Sequence, residues 1–118
     1  MYSSSSCPDL IKDRQGRIFY TGNITDRNPN GNLPRYPLCI ARLNPDTLTI
    51  ERDSVTVIDT KRSSHVDQEQ AGARYPVDFS NHHSYLDAEE HKIDVHAPFR
   101  ADLHRFETAI NKYDVYLK

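Results

Sequence analysis

What most constrains this chain is a succession of short segments in which apolar and polar residues alternate, each closed by a turn signal. Residues 8–12 (PDLIK) and 17–22 (RIFYTG) carry aliphatic, aromatic and β-branched residues at strand spacing. Between them, Asp13-Arg14-Gln15-Gly16 reads as a tight turn, because Gly16 takes φ > 0 at no steric cost. The two segments together predict a β-hairpin. Residues 26–34 (DRNPNGNLP) read as a loop, dense in Asn, Pro and Gly.

Residues 37–43 (PLCIARL) follow as a strand, and Asn44-Pro45-Asp46-Thr47 suits a type I turn. Strands are then expected at 48–52 (LTIER) and 55–58 (VTVI). Residues 61–73 are polar and read as a long connection. Weaker strand signals lie at 75–80 and 84–87. A turn at 88–91 leads into the clean alternations of 92–96 (KIDVH) and 113–117 (YDVYL). In 101–110, Leu103, Phe106 and Ile110 also fit helical spacing. Turns recur about every 8–12 residues and no βαβ alternation is present, so the chain is expected to be all-β: a sandwich, a barrel or a propeller.

Composition narrows the partners. The 118 residues carry 15 Lys and Arg against 17 Asp and Glu, a net charge of −2, which argues against a basic nucleic-acid or membrane-surface binder. No apolar run approaches the roughly 18 residues of a membrane span. Met1-Tyr2 and the serines that follow have neither the basic nor the apolar region of a signal peptide. The apolar fraction, 36%, lies below the usual range of about 45–50%, so the core is expected to be thin and to lean on neighbours.

Several residues invite a chemical reading. Cys7 and Cys39 permit one disulfide in an oxidising compartment, but each adjoins apolar strand-like residues, where a free thiol commonly acts as a small buried hydrophobe. Asn23-Ile24-Thr25 matches a glycosylation acceptor. Asp26-Arg27-Asn28-Pro29-Asn30-Gly31 opens like a calcium loop but reaches Pro37 where the bidentate Glu belongs, so a surface loop is the better reading. The six His, at 65, 82, 83, 91, 96 and 104, show no metal-ligand spacing; His82 and His83 are expected on opposite faces. Asp87, Glu89 and Glu90 cluster at a hairpin tip, and Asp78 lies in a strand candidate that can face a cleft. Arg35 and Arg74 each precede a strand, where a guanidinium fork can meet a carboxylate. Tyr36, Tyr75 and Tyr85 can pack against or hydrogen-bond a sugar. Nothing implies a cofactor or a metal.

Four elements then fall in order: Cys7-Pro8-Asp9-Leu10, Gln15-Gly16-Arg17-Ile18, Gly22-Asn23 with Arg35 after the loop, and Pro37-Leu38-Cys39-Ile40. This run resembles the later part of a sialidase-like (BNR/Asp-box-related) glycosidase β-propeller. The turn Asn44-Pro45-Asp46-Thr47-Leu48 sits where an Asp box would, but lacks its Ser, Gly and Trp. Residues 78–81 and 101–106 look like closing-blade segments, which also tips 101–110 toward strand. At about 40–45 residues per blade, the chain would hold two to three blades, fewer than the roughly four that close a ring.

The resemblance implies a partial propeller domain over 1–118, with a first blade region at roughly 1–60 and a closing blade region at 74–118. The chain would be the C-terminal portion of a glycoside hydrolase, inactive alone, whose parent is secreted or periplasmic and acts on a terminal carbohydrate. Arg35, and more weakly Arg74, would bind the sugar carboxylate, with Tyr75 or Tyr85 in the place of the catalytic Tyr. The missing blades would be its partners. A non-catalytic carbohydrate-binding or scaffold propeller, or an independent small β-sandwich, are the other readings.

Overall fold

A computed structural model of the chain describes residues 1–4, 7–29, 31, 33–61, 77–79, 81–101 and 107–118. Most of the polar connection at 61–73, together with Arg74, Tyr75, His65 and His104, lies outside the described residues. The elements are β1 (Asp9–Lys12), β2 (Ile18–Asn23), β3 (Leu38–Leu43), a 3-10 turn (Arg52–Ser54), β4 (Thr56–Asp59), β5 (Val77–Asp78), β6 (His83–Asp87), β7 (Lys92–Ala101) and β8 (Glu107–Tyr116). The all-β expectation holds: two antiparallel sheets account for every named strand.

The first sheet is a meander in the order β1-β2-β3-β4. Its opening hairpin forms as expected, with Ile11 opposite Phe19 and Gly16 at φ 81°. Asp13 holds the turn. Its Oδ1 accepts the N–H groups of Gln15 (3.0 Å) and Arg17 (2.8 Å), and its Oδ2 accepts Arg17 Nε at 2.7 Å. Burial pushes the Asp13 carboxyl up, but the bonds from Arg17 outweigh it and leave the group below its ordinary value.

In the second sheet β7 is the central strand. β8 pairs with it along Lys92–Ala101, so β6 and β5 must share its other edge, β6 against 92–96 and β5 against 100–101. The alternation in the sequence places this strand only at 92–96, whereas β7 runs on through Pro98 to Ala101, although proline is disfavoured in a central strand. Pro98 is accommodated because its missing N–H falls in the gap between β6 and β5.

The sheets stack face to face. Ile11, Leu38 and Ile40 from the first meet Phe79, Ile93, Val95 and Ala97 around the second, with Phe19, Phe99 and Val115 at the margin. Phe79 and Phe99 meet edge to face, with centroids 5.4 Å apart. The first sheet is covered on its other face as well. There Ile24, Cys39 and Ala41 pack with Tyr20, Ile50 and Val55, and the N-terminal segment is tied on by paired backbone bonds between Tyr2 and Thr25. On this face the Tyr20 ring packs over Gly22, its Oη only 2.8 Å from where a Cβ would stand, so a side chain at this position would have to displace the ring.

Two local expectations are corrected. Residues 48–52 do not form a strand. Leu48 takes a left-handed conformation (φ 57°), and the segment makes only a bridge between Leu43 and Ile50 before the 3-10 turn. Ser54 Oγ accepts the Arg42 N–H at 2.7 Å, and the edge of β3 beyond is taken by β4. Cys7 is exposed, not buried; Cys39 is fully buried, and both are free thiols. Burial pushes the Cys39 thiol up to about 11.

Candidate functional site

β2 leaves the first sheet, β3 enters it and β4 leaves it at the same end. That topology gathers residues 24–29, 34–37 and 60–61 around one open groove of about 800 Å³. The volume lies within the range of about 300–1,000 Å³ that small-molecule sites occupy. The groove is lined by Asp26, Arg27, Asn28, Tyr36, Thr60 and Lys61, among others. Thr25 Oγ1 donates to the carbonyls of Arg27 (2.7 Å) and Tyr2 (3.3 Å), which fixes the start of the loop. Lys61 Nζ stands 5.5 Å from the centroid of the Tyr36 ring, so a cation–π contact holds the ammonium over the groove. The peptide bonds before Pro34 and Pro37 are cis.

Arg35 lies at this end too. Its carbonyl accepts the Phe79 N–H at 3.0 Å, and it forms a parallel bridge with Asp78, which ties the loop to the second sheet. Tyr85 lies elsewhere. It projects from the outer face of β6 opposite Asp94, with its ring edge-on to His96 at 5.8 Å. Asp78 pairs with Arg100 and Tyr85 with Asp94 on β7, so Arg35 and Tyr85 stand about 20 Å apart along the strands. The structure does not bring them together. Arg74 and Tyr75, the remaining candidates, lie outside the described residues.

A tyrosine–carboxylate couple does occur, at residues the sequence does not single out. β4 carries a bulge opposite Leu38–Cys39, with Ile58 as the extra residue. The bulge turns Asp59 onto the inner face, opposite Leu38. There Asp59 Oδ2 accepts Tyr113 Oη of β8 at 2.5 Å, and Asn111 Nδ2 donates to the same phenol oxygen at 3.0 Å. These residues are 54 apart in the chain, so no local pattern announces the contact.

A second polar group lies between β2 and β6. Thr21 Oγ1 and Ser84 Oγ are 2.8 Å apart, and His82 Nε2 is 3.0 Å from the Thr21 carbonyl, to which it must donate. Asp9 Oδ2 is 4.0 Å from His82 Nε2. Ser, His and Asp are present, but no hydrogen bond joins the Ser84 hydroxyl to the imidazole, so the nucleophile–base contact is missing. As expected, His82 is buried and His83 exposed. Asn23 is fully buried, its Nδ2 donating to the Pro37 carbonyl at 3.3 Å, so the acceptor pattern at 23–25 is closed to a glycan in the folded chain.

On the outer face of the second sheet, Lys92 Nζ lies 3.2–3.3 Å from carboxylate oxygens of Glu90, Asp94 and Asp114, and Lys112 Nζ lies 3.1 Å from Asp114. Hydrogen bonds from Lys112 and Lys92 hold the Asp114 carboxyl below its ordinary value. Burial pulls Lys92 down, but its three carboxylate partners prevail and raise it above the ordinary lysine value. Compared with known proteins, the chain matches no family model, no curated protein and no solved structure. The glycosidase resemblance therefore rests on the quoted residues alone.

Proposed function

We propose that this chain is a carbohydrate-recognition unit without hydrolytic activity of its own, which takes an anionic sugar in the groove between residues 24–29 and 60–61. The observation that carries this reading is the convergence of Arg27 and Lys61 on one open groove, with the Lys61 ammonium held over Tyr36. Two cations favour a sugar carboxylate, and Asn28, Thr60 and Asp26 offer donors and acceptors to hydroxyls. The finer architectural reading is two neighbouring blades of a sialidase-like propeller. Its support is that β1–β4 and β6–β8 each run as an up-and-down meander and stack face to face. The charged outer face of the second sheet favours an independent sandwich as the second reading, because such a face suits water better than a further blade.

Titration of the labelled chain with a terminal sialoside and with its neutral asialo counterpart tests the site by NMR. The sialoside is expected to shift the amides of 25–28 and 60–61, the neutral sugar to do so less, and Arg27→Ala with Lys61→Ala to abolish the effect. Absence of any shift with the sialoside overturns the reading. An aryl sialoside reporter is expected to remain uncleaved, and turnover by the 118-residue chain would return the catalytic reading. Reversible, cooperative unfolding of the isolated chain would favour the sandwich over the incomplete ring.

A further inference from the structure

Among the described residues β8 pairs with β7 alone, along Glu107–Tyr116. The Leu117 N–H donates to the His91 carbonyl at 2.8 Å, which sets the phase of the ladder. Residues 109, 111, 113 and 115 therefore turn their backbone polar groups toward β7, and Ile110, Lys112, Asp114 and Tyr116 turn theirs toward the other edge. The same four side chains share the outer face. Two of them, Ile110 at 79% and Tyr116 at 65%, rank among the most exposed large apolar residues of the chain. A long strand edge of this kind is a template for another strand.

We propose that β8 joins a second copy of this chain, antiparallel about a two-fold axis at Tyr113, to make one sheet continuous across a dimer. Placing Tyr113 opposite its symmetry mate sets Lys112 opposite Asp114 of the other copy, and Ile110 opposite Tyr116. Each cation then meets a carboxylate, and each exposed apolar side chain meets another. The hydrogen-bonding phase agrees, since these opposed residues are the ones whose N–H and C=O groups point outward. A slip of two residues either way sets Lys112 against Lys112 or Asp114 against Asp114, and like charges directly opposite destabilise a pair. A slip of one residue removes the match of hydrogen bonds. The order Ile-x-Lys-x-Asp-x-Tyr is therefore self-complementary in one register.

Sedimentation velocity over a concentration series tests this on the 118-residue chain. The wild type is expected to reach twice the chain mass. Lys112→Asp and Asp114→Lys are each expected to lose the dimer, and an equimolar mixture of the two to recover it, because every opposed pair is again of opposite sign. Ile110→Glu, which lies outside the Lys92 network, is expected to lose the dimer while the cooperative thermal transition persists, and so keeps the test decisive if a charge variant does not fold. A wild type that stays monomeric at all concentrations, a dimer that survives all three substitutions, or singly monomeric charge variants that fail to recombine overturns the proposal.

Discussion

The two sheets use similar strands to opposite ends. In the first, β3 reads Leu38-Cys39-Ile40-Ala41, a continuous apolar run, and all four residues are buried. Both faces are covered, one by the second sheet and the other by the chain's own N-terminal segment and the 44–55 connection. In the second, β7 alternates: Ile93, Val95 and Ala97 are buried, while His96 is exposed and Asp94 half-exposed. Its outer face carries charge instead of cover. A covered sheet selects for apolar residues at every position, whereas a sheet with one wet face selects at every second one. A chain with only 36% apolar residues can build one sheet of the first kind by making the other of the second kind.

The sharpest way to break this contrast is the same substitution on both outer faces. Ala41→Asp buries an unpaired carboxylate in the first sheet and is expected to abolish the cooperative transition in thermal melts. His96→Asp, opposite Lys112, is expected to stay within about 0.5 kcal/mol of wild type. Equal damage at both positions would erase the distinction.

The layer shared by the sheets comes next. Phe79 is fully buried against Phe99, and Phe79→Ala is expected to lower the unfolding free energy by about 3–5 kcal/mol in urea denaturation. A smaller loss, about 1.5–3 kcal/mol, is expected from Tyr113→Phe, which removes the donor to Asp59 and loosens β4 from β8. The double variant with Asp59→Asn should then fall short of the sum of the two single losses.

The charged face should respond to pH at both extremes, and the apolar face only through Cys39, whose thiol, raised by burial from 9.0 to about 11, costs stability as pH rises above 9.0. Asp114 lies below its ordinary value of 3.8 in the folded chain. Its contribution is therefore present above that value and is lost as pH falls through the lowered one. Lys92 is raised above its ordinary value of 10.5, so its contribution is present below that value and is lost as pH rises beyond it. Thermal melts are expected to show a plateau with losses at both extremes, and Asp114→Asn is expected to flatten the acid limb. The mildest probe is thiol labelling. Cys7 should react at once in the folded chain, and Cys39, buried and with its thiol pushed up to about 11, only on unfolding.

Much of the fold was legible because its causes are local. Gly16 and Asp13 announce the first turn. Aromatic and β-branched residues announce β2, alternation announces the start of β7 and the end of β8, the apolar residues of 37–43 announce β3, and β6 gives only a weak signal. Failures occurred where the cause was distant. Leu48–Arg52 has strand-forming residues, yet the edge of β3 is taken by β4 and Leu48 turns left-handed. The extension of β7 through Pro98 depends on a gap between two other strands. For the candidate site, the sequence located the polar loop at 26–34, Arg35 and Tyr36. It could not bring Lys61 to Tyr36 or show that Arg35 and Tyr85 stand apart.

By itself, then, the sequence determined most of where the chain extends and turns, and that the product is all-β, because period-2 alternation and turn chemistry act over a few residues. Only the tertiary structure decided which edges pair, that a bulge at Ile58 aims Asp59 at Tyr113, and that three separate segments share one groove. Those outcomes depend on contacts between residues far apart in the chain, selected by which faces bury together, and no local pattern encodes them.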